Sequence, residues 1–390
     1  MRDGFKVFDA DAHVIYPSDL WPRFLEPRFA ERIGRKSPPG FDHYNPVTVD
    51  GRWSQHPTSI YGNFQKAINW TTEDMIAKYG EDLVLKGFTG DRVATALEAE
   101  GVDVMVIYGP EYDMWLDGID PELQAAMARA YNRWGAEMRE QSGGRVLASG
   151  PVPLNDVARA VDEISYAHSE LGVNCFWARP DHFNHRNLGD RYYDPVYELL
   201  QDLDCAFATH EYMGLNGVTA GSDRFTTFTE WHTVVHPHEA QSAMLSMIVH
   251  GVFERFPRLR CAYMEAGCGW LPSWLHRIDE HLELAGAAEA PELMMRATEY
   301  FRRNCWISTE CDDHFVADVI RWMGDDHIVF ETDFPHPDSK YPHATDHFLG
   351  LDSELVSDAS KRKILWDNAL DLYRFPSDSV PDVSRREAQG

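Results

Sequence analysis

The sequence predicts an α/β protein folded as a (β/α)8 TIM barrel, with long insertions after strands 1 and 5. Three observations predict it. Eight short runs of β-branched, aromatic and small apolar residues alternate with longer amphipathic stretches, the pattern of repeated βα units. Carboxylates and histidines collect at the C-terminal ends of several of these runs, where a parallel barrel keeps its chemistry. The length of 390 residues suits a barrel that carries insertions.

Taken in order, the strands are expected at residues 5–13, 102–108, 145–152, 173–178, 205–210, 260–265, 304–309 and 327–333. Helical periodicity fills the intervals near residues 91–100, 121–141, 155–171, 195–203, 238–256, 271–301 and 313–323, and residues 354–373 close the chain with one or two helices. An open doubly wound sheet is the alternative. No GxGxxG follows the first strand, which weighs against its dinucleotide-binding form. Residues 1–375 read as a single metal-dependent barrel domain, with insertions at 16–86 and 212–237 that leave from strand C-termini. Residues 376–390, rich in Ser, Asp, Pro, Arg and Glu, read as a disordered tail.

Bulk chemistry narrows the function. Hydrophobic residues make up 44% and charged residues 25%, ordinary globular values. The net charge of −27 repels phosphate backbones and anionic lipid, so neither nucleic acid nor a membrane is expected as a partner; a small-molecule substrate is. No apolar run reaches membrane-spanning length. The N-terminus lacks the apolar core of a signal peptide, so a cytoplasmic location is expected. Six cysteines without a CxxC pair read as reduced core thiols. The insertions would suit a homodimer.

The strand ends carry the chemistry. The first ends in Asp9-Ala10-Asp11-Ala12-His13, where alternation lets Asp11 and His13 face the same side. The fifth ends in His210, the sixth in Glu265, and the eighth in Asp333 with His336 three residues on. In a closed barrel, Asp11, His13, His210, Glu265 and Asp333 surround one point. Imidazoles and carboxylates around a point form a divalent-metal environment, and an ion offsets the cost of packing those charges together. At the rim, Glu111 follows the second strand and Arg179 the fourth. Arg179 offers a planar fork suited to a substrate carboxylate. Trp115, with Trp21, Trp53 and Trp70, is a candidate wall of an aromatic substrate pocket. His232, His236 and His238 read as a solvated loop cluster within the second insertion.

The segments DADAHV (9–14), ATHEY (208–212), HGVFERFPRLRCAYMEAGCGWLPSWLHRID (250–279), HIVFETDFPHPDS (327–339) and KILWDNALDLY (363–373) resemble the amidohydrolase-related family, the aminocarboxymuconate semialdehyde decarboxylase-like branch of the amidohydrolase superfamily. They spread along nearly the whole chain. The resemblance implies a barrel with a zinc or manganese centre. It places metal ligands on Asp11, His13 and His210, and makes Asp333 either a ligand or the acid/base. Two departures stand out. The sixth-strand position that is usually His is Glu265, and the first-strand pair begins with Asp11 rather than His or Glu. Glu265 is then a second catalytic candidate, or with His336 a bridge to a second metal or a support for the first. The fourth strand has no Lys for the carbamate bridge of two-metal hydrolases.

The reaction expected from this is that of a metal-dependent hydrolase or a non-oxidative decarboxylase, a carbon–carbon lyase, acting on a small, largely apolar organic acid or lactone. The carboxylate-rich donor set also suits iron. The alternative is therefore a non-heme iron monooxygenase, mononuclear or diiron, hydroxylating a natural-product or catabolic intermediate.

Overall fold

A computed structural model describes residues 1–35, 47–52, 70–109, 114–115, 118–211, 219–351 and 354–375. Among these, eight parallel strands form the barrel: β1 (Phe8–Ala12), β2 (Val104–Ile107), β3 (Val146–Ala148, continued by Gly150–Pro151), β4 (Cys175–Ala178), β5 (Ala206–Thr209), β6 (Arg260–Tyr263), β7 (Cys305–Thr309) and β8 (Ile328–Phe330). Every residue of these strands is buried. That is why they read as near-continuous apolar runs rather than as alternating ones.

Neighbouring strands pair in parallel in two arcs, one from β1 to Val146–Ala148 and one from Gly150–Pro151 to β8. Phe8 lies opposite Val104, Met105 opposite Val146, Gly150 opposite Phe176, Cys175 opposite Ala206, Ala206 opposite Arg260, Cys261 opposite Cys305, and Ile307 opposite Ile328. The kink at Ser149 does not open the sheet, because its N–H and hydroxyl both donate to the Ile107 carbonyl, at 3.0 and 2.9 Å. Closure comes at the last seam. The Asp333 N–H donates to the Asp11 carbonyl at 3.3 Å, and the His13 N–H to the Phe334 carbonyl at 2.5 Å.

The helices begin where local chemistry says they should. Helix Pro121–Gln141 has Pro in its first turn and the Asp120 side chain accepting from the Glu122 N–H. Helix Val157–Leu171 is capped by Asp156 and ends at Gly172 in the left-handed conformation. Between β1 and β2 lie helix Leu20–Phe24, an antiparallel pair Ile33–Arg35 and Val47–Val49, and helices Thr72–Tyr79, Glu81–Lys86 and Gly90–Glu100. All six cysteines are free and buried. Among the described residues, no helix is long and apolar enough to cross a membrane. The tail 376–390 and residues 212–218 lie outside the described residues.

One stretch differs from the sequence reading. The segment expected as irregular up to residue 237 is helical from Phe228, in a helix running to Val249. Thr227 and Glu230 form a capping box at its start. Pro237 sits inside the helix, with nine helical residues before it, a position that proline disfavours. The consequence is that His232 and His236 sit on an ordered helix rather than in a solvated loop.

Helix Pro121–Gln141 rides so close to β3 that a Cβ on Gly135 would lie 2.5 Å from the Ala148 Cβ. Gly135→Val should therefore cost about 1–3 kcal/mol from overpacking. The check is a denaturant midpoint, and a midpoint equal to wild type would disprove so close an approach.

Candidate metal centre

Asp11, His13, His210, Glu265 and Asp333 meet at the C-terminal mouth of the barrel. His210 Nε2 lies 3.2 Å from an Asp11 oxygen and 2.8 Å from a Glu265 oxygen. His13 Nε2 lies 3.3 Å from Asp333, 3.8 Å from Glu265 and 3.9 Å from Asp11. His336 joins on the eighth-strand side: its Nδ1 is 2.6 Å from Asp333, and its ring stacks on His13 at 4.4 Å. Two overlapping donor groups result, Asp11–His13–His210 and His13–Glu265–Asp333–His336.

Each side chain is aimed by its surroundings. The His13 Nδ1 faces the Tyr108 carbonyl at 3.3 Å. A carbonyl only accepts, so Nδ1 carries the proton and Nε2 is turned to the centre. The Tyr108 ring stacks on His210 at 5.2 Å. Glu265 and Asp333 both take the left-handed backbone conformation, with φ of 46° and 54°, which costs a non-glycine residue on the order of 1–3 kcal/mol and persists only where neighbours enforce it. At Glu265 the enforcers are the Ser308 hydroxyl and a Glu331 carboxyl oxygen, which accept from its N–H at 3.0 and 3.2 Å. Next to Asp333, Thr332 is held through its N–H and hydroxyl by Asp9, at 3.0 and 2.5 Å.

The electrostatics ask for a cation. Burial alone would lower the His13 and His210 pKa values. The facing carboxylates reverse this, lifting His13 well above its ordinary value and His210 to about 10. His336 is raised to about 9 against its own burial by Asp333. Neither oxygen of Asp11 completes a hydrogen bond among the described residues, although the side chain is 1% exposed. A carboxylate buried with unspent oxygens beside two imidazoles that need extra protons fits a divalent ion such as manganese or zinc. Asp11, His13 and His210 would hold it, with Asp333 and Glu265 at hand.

The remaining expected residues fall as follows. Arg179 is buried, with Nη2 between Asp181 at 2.9 Å and Glu211 at 3.0 Å; it ties the end of β4 to the residue after His210. Trp115 is fully buried against Trp177, with ring centres 4.9 Å apart, and Trp177 stands between it and His210. Glu111 and Trp53 lie outside the described residues. Sequence reasoning missed Asp9 and Glu331, which support the centre from one step further out. The signal was there: Asp9 and Glu331 stand two residues before Asp11 and Asp333, on the same faces of their strands. It also missed His236, whose Nδ1 donates to the Glu265 carbonyl at 3.1 Å, and Glu310, an exposed carboxylate just past the end of β7.

With this geometry in place, the comparisons with known proteins decide the family. The family model described as amidohydrolase matches residues 113–375, more than half of the chain. This chain belongs to the amidohydrolase family. Among curated relatives, 2-amino-3-carboxymuconate-6-semialdehyde decarboxylase of Dictyostelium discoideum is 24% identical over 217 residues, 56% of this amidohydrolase; the match spans 58% of that relative's length. Among solved structures, an amidohydrolase from Mycobacterium avium subsp. paratuberculosis K-10 superposes with a TM-score of 0.72 at 21% identity, over 95% of this chain and 99% of that one. A dihydroxybenzoic acid decarboxylase from Polaromonas sp. JS666, solved with bound manganese, gives 0.64 at 21% identity, over 84% and 97%. These similarities establish the barrel fold.

Two outcomes test the centre. In the ion-free protein the imidazoles carry the balancing charge as protons, and ligation requires them neutral. Binding of manganese or zinc should therefore release about two protons per ion and tighten as pH rises toward the His210 value of about 10. Calorimetry in buffers of different protonation enthalpy measures this, and a pH-independent affinity would contradict it. The second concerns the loop after β8. Lys78 Nζ donates to the Pro337 and Ser339 carbonyls at 3.0 and 2.5 Å, and the Tyr79 hydroxyl donates to the His336 carbonyl at 2.7 Å. Lys78→Met should weaken manganese binding by about tenfold, as loss of an outer support does, with the fold unchanged by circular dichroism.

Proposed function

We propose that this amidohydrolase is a metal-dependent, non-oxidative decarboxylase of a small organic acid. The observation that carries the reading is the convergence of Asp11, His13, His210, Glu265 and Asp333 on one point at the barrel mouth. Hydrolysis is the other reaction such a centre supports. The names of the relatives, two of them decarboxylases, favour carbon–carbon cleavage. None of the relatives named here is an oxygenase, so the iron oxygenase reading rests on the acidity of the donor set alone.

A bound divalent ion would act as a Lewis acid toward a substrate oxygen. Asp11, His13 and His210 would fix its position. Asp333 and His336, 2.6 Å apart, form a half-buried pair that shares a proton, and that proton is the one the reaction needs. As the bond between carbon and the carboxylate breaks, its electron pair stays on carbon and carbon dioxide leaves. The Asp333–His336 pair then protonates that carbon and is refilled from solvent. Glu265 serves as the alternative acid/base, or with His336 as a support or a second ion's ligand. For substrate binding, Arg179 enters with Nε and Nη1, the guanidinium nitrogens that find no hydrogen-bond partner among the described residues. Trp115 enters as the wall behind Trp177, and Glu111 as a further carboxylate that follows the second strand in sequence.

The test is a panel of aromatic and unsaturated acids incubated with manganese-loaded protein in D2O. Release of carbon dioxide with one deuterium at the carbon that lost it supports decarboxylation. Cleavage of an ester or lactone without carbon dioxide would replace it with hydrolysis. Oxygen uptake with a hydroxylated product would replace both. Asp333→Asn should lower kcat by 100-fold or more, about the worth of a positioned acid.

A further inference from the structure

Beside the metal centre, between helix Phe228–Val249 and the ends of β6, β7 and β8, lies a cavity of about 250 Å³. Glu265 and Asp333 form the part of its wall shared with the centre, and His236 and Glu331 line its depth. Glu310, Asp312 and Asp338 bring three further carboxylates. Among the described residues of this lining Lys340 is the one Lys or Arg, and it is 3.2 Å from Asp312.

The lining accepts hydrogen bonds and offers few. The Thr332 hydroxyl is spent on Asp9. His236 is 7% exposed and its Nδ1–H is spent on the Glu265 carbonyl, which leaves a lone pair on Nε2. Among the described residues that Nε2 has no hydrogen-bond partner, nor has Glu331 Oε1, on a side chain 1% exposed. Buried acceptors left without donors are costly. Here two of them line a space that a ligand can enter. A simple anion would meet unpaired carboxylates there, on a chain of net charge −27, in a cleft that concentrates their field.

We propose that this cavity receives a protonated amino group, so that the substrate is an amino-bearing organic acid. Its carboxylate end lies at the metal centre and its ammonium lies among Glu310, Asp338 and His236 Nε2. Three N–H donors on one compact cation match a lining made of acceptors. The assignment of the acid end rests on the decarboxylase reading; that of the amine end does not.

The experiment uses manganese-loaded protein and three probes of one shape: benzylamine, benzyl alcohol and benzoate. Calorimetry should show benzylamine binding saturably, at least about tenfold tighter than benzyl alcohol, the worth of one charge-assisted hydrogen bond. Added salt should weaken it. The double variant Glu310→Gln/Asp338→Asn and the single variant His236→Phe should each lose most of that preference while keeping the wild-type manganese content. Equal binding of amine and alcohol, no binding of the amine, or an undiminished preference in the variants would overturn the proposal. A second manganese per chain that the double variant loses would also overturn it and make the cavity an ion site. The decarboxylase reading fails separately. If benzylamine binds as expected but no amino-substituted acid releases carbon dioxide, the cavity stands and the reaction assignment falls.

Discussion

The seam between the first and last strands is the constraint on which the molecule turns. The hydrogen bonds that close the barrel there, from Asp333 to Asp11 and from His13 to Phe334, run between the backbones of the residues whose side chains form the metal centre and its neighbour in sequence. Closure and site assembly are thus one event. A barrel left open at this seam would separate the Asp11–His13 pair from Asp333, and no side-chain interaction elsewhere could restore them. Asp9 strengthens the same seam from below, since its carboxylate holds Thr332 through both N–H and hydroxyl. Burial pushes the Asp9 carboxyl well above the ordinary carboxylate range.

That crowding shapes the layer around the centre. Glu331 is also raised well above the usual carboxylate range, by burial and then by Asp11. A second full charge under Glu265 would be expensive there. The centre is therefore graded. Glu265 and Asp333, which face the imidazoles, are held below the ordinary carboxylate range by them, while Asp9 and Glu331, one step behind, are raised by burial and work as hydrogen-bonding supports. Such an arrangement keeps the field concentrated at the point where the imidazole Nε2 atoms meet.

Much of this was legible in the sequence, for local reasons. Strands buried on both faces are continuous apolar runs, so all eight could be located. Period-two alternation put Asp11 and His13 on one face without any knowledge of the rest. What escaped has long-range causes. The pairing of Arg179 Nη2 with Asp181 and Glu211 depends on β4 lying beside β5, which sequence chemistry alone does not give. His236 was hidden by Pro237, because a proline in a helix is readable only when one knows what packs around it. Glu310 stands at the end of an unremarkable strand, and only the converging ends of β6 and β8 give it meaning.

The two left-handed carboxylate residues show how the fold and the site are balanced against each other. Asp tolerates that conformation better than most residues, and Asp333 is further held by the closing hydrogen bond of its N–H. Glu has no such tolerance, so Glu265 must be enforced, and Ser308 and Glu331 do so by accepting from its N–H. In ordinary extended geometry the residue after Met264 would continue the alternation of β6. The left-handed turn redirects it, bringing its carboxylate 2.8 Å from His210 and its carbonyl 3.1 Å from His236. One strained residue thus touches the metal centre with its side chain and the neighbouring cavity with its backbone. A substrate lying across both would have its reacting end and its distant end positioned by the same residue, which gives the strain at Glu265 a purpose that neither space alone would require.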